Sequence, residues 1–404
     1  MKSKILSVIF SFGALGATLF LGFIAIVLNA NTLGPDTFGK FILLVTFSTI
    51  AAQIIGLGYS DVVMLHGIRD PSFIAAHAAT AVFLSILSAV FVAPVLFFIA
   101  GYAVERFSYY IFLIIISESL GQRLITIAEH TAIADRRTRT ADAIRVTSSA
   151  IKLLPATIVL FSGTVSVFEV FCVLYFCVTM SGAIGSLLCV KVDIMHPARL
   201  TTNNMRTAMS FMGSGFSRFS AQSADRIAIA YAAISADISG VYLLGSRIYQ
   251  IVTSLIQSLQ KHFVISFYGS DIGKLHKKRV QIFSSSLFAG SIIAIGVYFF
   301  SRYISYFFTD QYDGAVLIME RFSFVIPFYI VYATGLPLLA ALGRFTIRLS
   351  FSTLELILNT CLCLYALKYH SIEDIPLALA MSYATLSILM MIFLSLSNKH
   401  KAAI

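Results

Sequence analysis

Charged and amide side chains are sparse in this chain, and several of them recur at helical spacing inside long apolar runs. Arg218, Gln222 and Asp225 stand at i, i+4 and i+7, with Ser214 extending the same face and Arg226 beside it. Arg247, Gln250, Ser254, Gln257 and Lys261 follow a similar path further on. Glu118, Gln122 and Glu129 form a third stripe with Arg123 next to it, followed by Arg145 and Lys152; Glu355 lies near Ser352 and Asn359. An ionisable group at the middle of an apolar helix costs roughly 2.5–3.5 kcal/mol on insertion scales, so such groups face a partner or a hydrated path. Cations outnumber carboxylates on these stripes, which favours an anionic ligand. An Arg fork takes two phosphate oxygens at once, and Gln, Ser and Tyr exchange hydrogen bonds with sugar hydroxyls. Arg218, Gln222, Arg247, Gln250, Lys152 and Arg123 are therefore the candidate substrate-cavity residues. Asp225, Glu118 and Glu355 are the candidates for a coupling proton or cation. The competing reading is internal pairing, of Asp225 with Arg218 or Arg226 and of Glu118 with Arg123 or Lys152. A buried carboxylate without a cation beside it holds a proton readily, an argument that singles out Glu355.

These stripes need long apolar helices to carry them, and the composition supplies them. Of 404 residues, 58% are hydrophobic and 12% charged, against about 25% charged in an ordinary soluble domain. Apolar runs long enough to cross a hydrocarbon core of about 30 Å recur along the whole chain. They predict an all-α polytopic membrane protein of about twelve spans. The expected limits are 6–29, 39–58, 75–99, 107–128, 142–162, 166–190, 207–233, 238–264, 280–307, 320–341, 346–367 and 375–396. The fourth, fifth and seventh carry ionisable groups, but each keeps an apolar face and is expected to lack a helix-breaking Pro at its centre. The first run is too long for the h-region of a signal peptide and reads as a retained span. Cys172, Cys177, Cys189, Cys361 and Cys363 all fall within spans and show no metal-ligand spacing.

The formal charge of +10 reads as topology, not as a nucleic-acid footprint. With both termini cytoplasmic, the inner face collects clusters such as Arg136, Arg137 and Arg139, and Lys274, Lys277, Lys278 and Arg279. The outer face keeps Lys40, Arg106, Arg302, Arg321 and Lys368, the bias of the positive-inside rule. His66, His130, His196 and His276 read as solvated polar residues. Pro327 and Pro337, flanking Gly335, favour kinks in the tenth span. Tyr329 and Tyr332 are expected in the outer aromatic belt or on a sugar path.

Two corners half a chain apart point to an internal repeat. LGPDTFGKF at 33–41 and ISADISGVY at 234–242 both place Asp where it caps a following helix, with Gly and an aromatic just inside. The implied parallel repeat divides the chain into lobes 1–200 and 201–404, six spans each.

With these corners, with Gly56-Leu-Gly58, and with Gln222-Ser-Ala-Asp-Arg-Ile227 ahead of Gly240-Val-Tyr242, the chain resembles the polysaccharide-transport branch of the multidrug/oligosaccharidyl-lipid/polysaccharide flippase superfamily. The nearest likeness is to the O-antigen flippases. The resemblance implies two six-helix lobes around a central cavity that opens alternately to each side. It implies movement of an undecaprenyl-pyrophosphate-linked oligosaccharide, such as an O-antigen repeat unit, across the bacterial inner membrane, with H+ or Na+ coupling and other polysaccharide-assembly proteins as partners. A multidrug or small-molecule ion antiporter of the same superfamily is the alternative. An integral-membrane polymerase or ligase is disfavoured: its large periplasmic loops are missing, and there is no HExxH, P-loop or GxSxG motif. No enzyme activity, cofactor, metal or nucleic-acid partner is expected; membrane lipids are.

Overall fold

The computed structural model describes residues 2–68, 70–103, 108–162, 167–192, 194, 196–232, 236–268, 272–308, 312 and 314–396. The side chains of Asp237, Ser254, Gln257 and Lys261 lie outside that description, as does the start of the second corner. Every regular element among the described residues is helical. In chain order these are α1 (Lys2–Ile54), α2 (Tyr59–Gly67), α3 (Ile74–Ala103), α4 (Tyr109–Ile116), α5 (Gln122–Ala134), α6 (Thr138–Ile151), α7 (Leu154–Ser162) and α8 (Val167–Val190). They continue with α9 (Thr202–Ala221), α10 (Ala224–Tyr231), α11 (Ala236–Tyr268), α12 (Ile272–Ile304), α13 (Ala315–Ser323), α14 (Val325–Ala341), α15 (Phe345–Tyr369) and α16 (Ile375–Leu396). The chain divides into two compact units, Met1–Phe219 and Ser220–Ile404.

Eight helical segments among the described residues are long and apolar enough to cross a membrane, and a bent pair adds a ninth. The chain is a multi-pass membrane protein. The count stays below twelve for two reasons. The first two expected spans both fall within α1, which is two helices joined at the corner at 33–41 by a non-helical Gly34 (φ 71°, ψ 166°) followed by Pro35, and so count as one segment. Gly34 takes a backbone conformation that is costly for other residues, and Pro35 removes one helical N–H, so together they separate the two helices of α1. Asp36 in this corner pairs with Lys40 at 3.0 Å. The seventh and eighth expected spans fall on α9, α10 and α11, whose apolar runs are interrupted by Arg206, Arg218, Asp225, Arg226, Arg247 and Gln250.

Local breaks then place the polar side chains. A 3-10 turn at Ile55–Gly58 separates α1 from α2, with left-handed backbone at Gly56, Leu57 and Gly58. A Cβ at Gly58 would stand 2.4 Å from the Ala208 carbonyl oxygen and 2.7 Å from the Met212 nitrogen, so only glycine lets α9 approach this closely. The fourth span contains a π-helical turn, Ser117–Gly121, between α4 and α5. The fifth, expected to be free of a central breaker, is broken at Lys152 and Leu153, where Pro155 enters the first turn of α7. The tenth bends by 49° between α13 and α14, just before Pro327, as its prolines led one to expect.

In the first unit α2, α3, α5, α6 and α8 enclose an apolar core that includes Tyr59, Val62, Val82, Ile127, Ile144 and Leu187. In the second, α14 packs on α12 and α16, α15 on α16 and α10, and α11 on α13.

Candidate functional site

The second unit buries a polar cluster among aromatic rings. Asp225, near the start of α10, accepts hydrogen bonds from Tyr242 Oη at 3.0 Å and Ser246 Oγ at 2.9 Å, both on α11. Arg226 lies alongside, its Nε 3.4 Å from Asp225 Oδ1, and donates through Nη2 to the Gln222 carbonyl at 2.6 Å and to Ser223 Oγ at 3.0 Å. The break at Gln222 and Ser223 frees that carbonyl from the α9 ladder, which is why a guanidinium can use it. On α15, Glu355 accepts from Tyr383 Oη at 2.9 Å. Asn359, one turn further on, donates to Tyr383 Oη at 3.2 Å and to the Ala221 carbonyl at 2.9 Å. Its own Oδ1 is buried without a hydrogen-bond partner among the described residues. Gln222 donates to Tyr329 Oη at 2.9 Å, and the Tyr329 ring meets Tyr383 edge-on at 5.3 Å. Tyr242, Tyr329, Tyr332, Tyr383, Glu355 and Asn359 are all fully buried. Two carboxylates, one guanidinium and an amide oxygen thus share a buried, tyrosine-lined interior. Hard cations take such oxygens as ligands.

The first unit holds a separate set of pairs. Glu118, on the π-turn, accepts from Lys152 Nζ at 2.8 Å and Tyr175 Oη at 2.5 Å. The π-turn re-aims one side chain of the fourth span, and the break at Lys152 supplies its partner. Arg145 pairs with Glu129 and lies 3.6 Å from Asp142. Arg123 is buried, with Nε and Nη2 lacking hydrogen-bond partners among the described residues. It packs under the α1–α2 break, where a Cβ on Gly56 would stand 3.2 Å from its Nε.

By sequence, no family model and no curated protein matches the chain. Its architecture does have solved counterparts. An inward-facing multidrug resistance MATE family transporter of the MOP superfamily superposes with a TM-score of 0.74 over 94% of each chain, at 12% identity. The Vibrio cholerae MATE transporter VcmN in its bent form gives 0.68 over 98% of each chain at 13% identity. A MOP superfamily transporter from Pyrococcus furiosus, for which reversed binding-pocket polarity was taken to suggest a different function, gives 0.63 over 96% of this chain and 95% of that one, also at 13%. The chain has the MATE fold.

Within this MATE fold the expected site residues separate into groups. Gln222, Asp225 and Glu355 meet in the buried cluster of the second unit. Arg218 lies in the last turn of α9, in the first unit, and a turn at Gln222 and Ser223 separates α9 from α10, which carries Asp225. Arg247 and Gln250 bond each other along α11 at 2.8 Å. Lys152 is held by Glu118, and Asp225 sits beside Arg226, so the pairing alternative describes both. Glu118, Glu129 and Asp225 each stand beside a basic side chain.

Three further expectations change. His130 is not solvated but buried, its Nδ1 3.9 Å from Asp61 and 3.4 Å from the Ser60 carbonyl. Tyr329 and Tyr332 lie in the core of the second unit and not in an outer belt, the latter donating to the Phe351 carbonyl at 3.1 Å. Tyr175, Ser246 and Tyr383, which complete the carboxylate sites, were missed because single hydroxyls in apolar helices look like belt or packing residues. Their helical phase relative to Glu118, Asp225 and Glu355 depends on tertiary pairing that spacing within one helix does not encode.

Proposed function

We propose that this chain is a cation-coupled transporter of the MATE type, working by alternating access in a bacterial cytoplasmic membrane with both termini inside. The observation that carries this reading is the unfilled Asn359 Oδ1 beside Glu355 and Tyr383, in a cluster that also buries Asp225. Here H+ or Na+ binds between carboxylate, amide and phenol oxygens, and its release resets the cluster. Glu355→Gln and Asp225→Asn keep size and hydrogen-bonding capacity while removing charge. In proteoliposomes both variants should lose flux driven by a proton or sodium gradient while folding normally. Wild-type flux with unchanged ion dependence in both would remove the cluster from coupling.

For cargo, small-molecule antiport has the better support. The structural neighbours include multidrug transporters, and the partly buried Lys152 and Arg145 and the buried Arg226 stand beside acidic partners. The second reading is the flippase of an undecaprenyl-pyrophosphate-linked oligosaccharide, acting with other polysaccharide-assembly proteins. Arg123 favours it, as a buried guanidinium with two nitrogens that make no hydrogen bond among the described residues, and so do the two corners of the sequence. Deleting the gene separates them. Loss of dye or drug efflux with normal surface glycan supports antiport. Accumulation of lipid-linked repeat units on the cytoplasmic side supports the flippase, and normal glycan export without a substitute flippase rules it out.

A further inference from the structure

The first unit buries a guanidinium that no neighbouring side chain or carbonyl takes up. Arg123, on α5, is 5% exposed, and its Nε and Nη2 make no hydrogen bond among the described residues. These two nitrogens share one edge of the guanidinium, the edge that grips an anion through two parallel N–H bonds. A guanidinium does not shed its proton to escape burial. Arg123 lies in the spanning segment Tyr109–Ala134, where a charge without a bonded partner is costly.

The surroundings answer this charge only in part. Ser85 Oγ and Arg123 Nε both stand against Gly56, but Ser85 gives its proton to the Ala81 carbonyl at 2.7 Å. Ser88 Oγ donates to the Leu84 carbonyl at 2.6 Å and accepts from the Gly56 N–H at 2.8 Å. Asp61, on α2, is a carboxylate within electrostatic reach of Arg123, yet it bonds neither Nε nor Nη2. It lies instead 3.9 Å from His130 Nδ1, with its side chain 29% exposed. Ser60, beside Asp61, is 1% exposed; its Oγ has no hydrogen-bond partner among the described residues, and its carbonyl is 3.4 Å from His130 Nδ1. Helices α2 and α5 pack against each other, so this interface holds buried donors on both sides, in excess of bonded acceptors.

We propose that one small monovalent anion, chloride in its simplest form, binds at the α2–α5 interface, held side-on by Arg123 with Ser60 Oγ as a further donor. The anion neutralises Arg123 and ties α5 to α2, whichever cargo is carried. The field of Asp61 selects against a multiply charged anion, and the exposed part of Asp61 gives water and ions a route in.

The test follows thermal unfolding of the full chain in detergent micelles, in sodium chloride against sodium gluconate at equal ionic strength. The wild-type midpoint should rise by about 2–4 °C once chloride exceeds its dissociation constant about ten-fold, and sodium sulfate should give less. Arg123→Met should lose the chloride-specific rise and Ser60→Ala should reduce it. Asp61→Asn removes a repelling charge and should make the rise saturate at lower chloride. Line broadening in chloride NMR, reversed by bromide, reads binding on the wild type alone, so the proposal stays testable if Arg123→Met does not fold. Equal midpoints in chloride and gluconate, a chloride rise kept by Arg123→Met, or no broadening by the wild type would each overturn it. So would an Asp61→Asn variant that is destabilised equally in both salts and no longer responds to chloride, since Asp61 would then be the counter-charge of Arg123.

Discussion

Lys152 separates a structural role from a cargo role, and a double-mutant cycle with Glu118 measures which one it plays. The Glu118 side chain is 4% exposed and Lys152 24%, with nitrogen and oxygen 2.8 Å apart. At an effective dielectric of about 20, this separation gives an attraction of about 6 kcal/mol before desolvation is subtracted. Desolvation offsets most of it, so the net value against an apolar pair is close to zero. Removing one partner is another matter. Lys152→Met leaves a buried carboxylate supported by Tyr175, whose charge-assisted bond softens the loss, so about 3 kcal/mol of stability should go. Glu118→Gln leaves a lysine that can still reach water and should cost about 1–2 kcal/mol. The double variant should lose no more than about 2 kcal/mol, giving a coupling of about 2 kcal/mol or more. The assay is denaturant unfolding in detergent micelles, with transport measured on the same four proteins. A double variant that is stable and transports normally assigns Lys152 to structure. Additive single effects, with coupling below about 0.5 kcal/mol, would refute the pairing argument.

Gly58→Ala should cost about 2–5 kcal/mol, since it adds left-handed strain to a clash with the Ala208 and Met212 backbone, which cannot move aside. Gly56→Ala meets the Ser85 hydroxyl, a side-chain tip, and should cost less; thermal unfolding of both ranks them, and equal losses would contradict the contact argument. Asp70, ahead of the turn Pro71–Phe73, accepts from the Ser72 hydroxyl and backbone N–H, and these bonds hold its carboxyl below the usual range. Because its folded pKa is depressed, this turn is favoured above the unfolded carboxylate value and loses that support as pH falls through the folded one. Ser72→Ala should move the Asp70 titration, followed by NMR, upward toward an unperturbed carboxylate.

The stripes of the sequence located chemistry without locating partners. A helical period says which residues share a face of one straight helix, and the helices that matter here are not straight. Glu118 is aimed by a π-turn, Lys152 by a break before Pro155, and Asp225 by a break after Ala221. Of these, only Pro155 is visible in the sequence, and the expectation of an unbroken fifth span passed over it. Breaks of this kind are favourable only because tertiary partners take up the freed carbonyls, as Arg226 and Asn359 do for the carbonyls of Gln222 and Ala221. Local propensity therefore underdetermines them. The all-helical membrane class was legible because it rests on composition and run length, which tertiary contacts do not alter. Charge balance was not. Counting cations along the stripes indicated an anion path, yet Glu118, Glu129 and Asp225 each stand against one of those cations. For Arg123 the anionic reading can be put to a direct test. This guanidinium packs under Gly56 with two nitrogens that lack hydrogen-bond partners among the described residues, and there the choice between a phosphate and a purely structural role becomes an experiment on one residue.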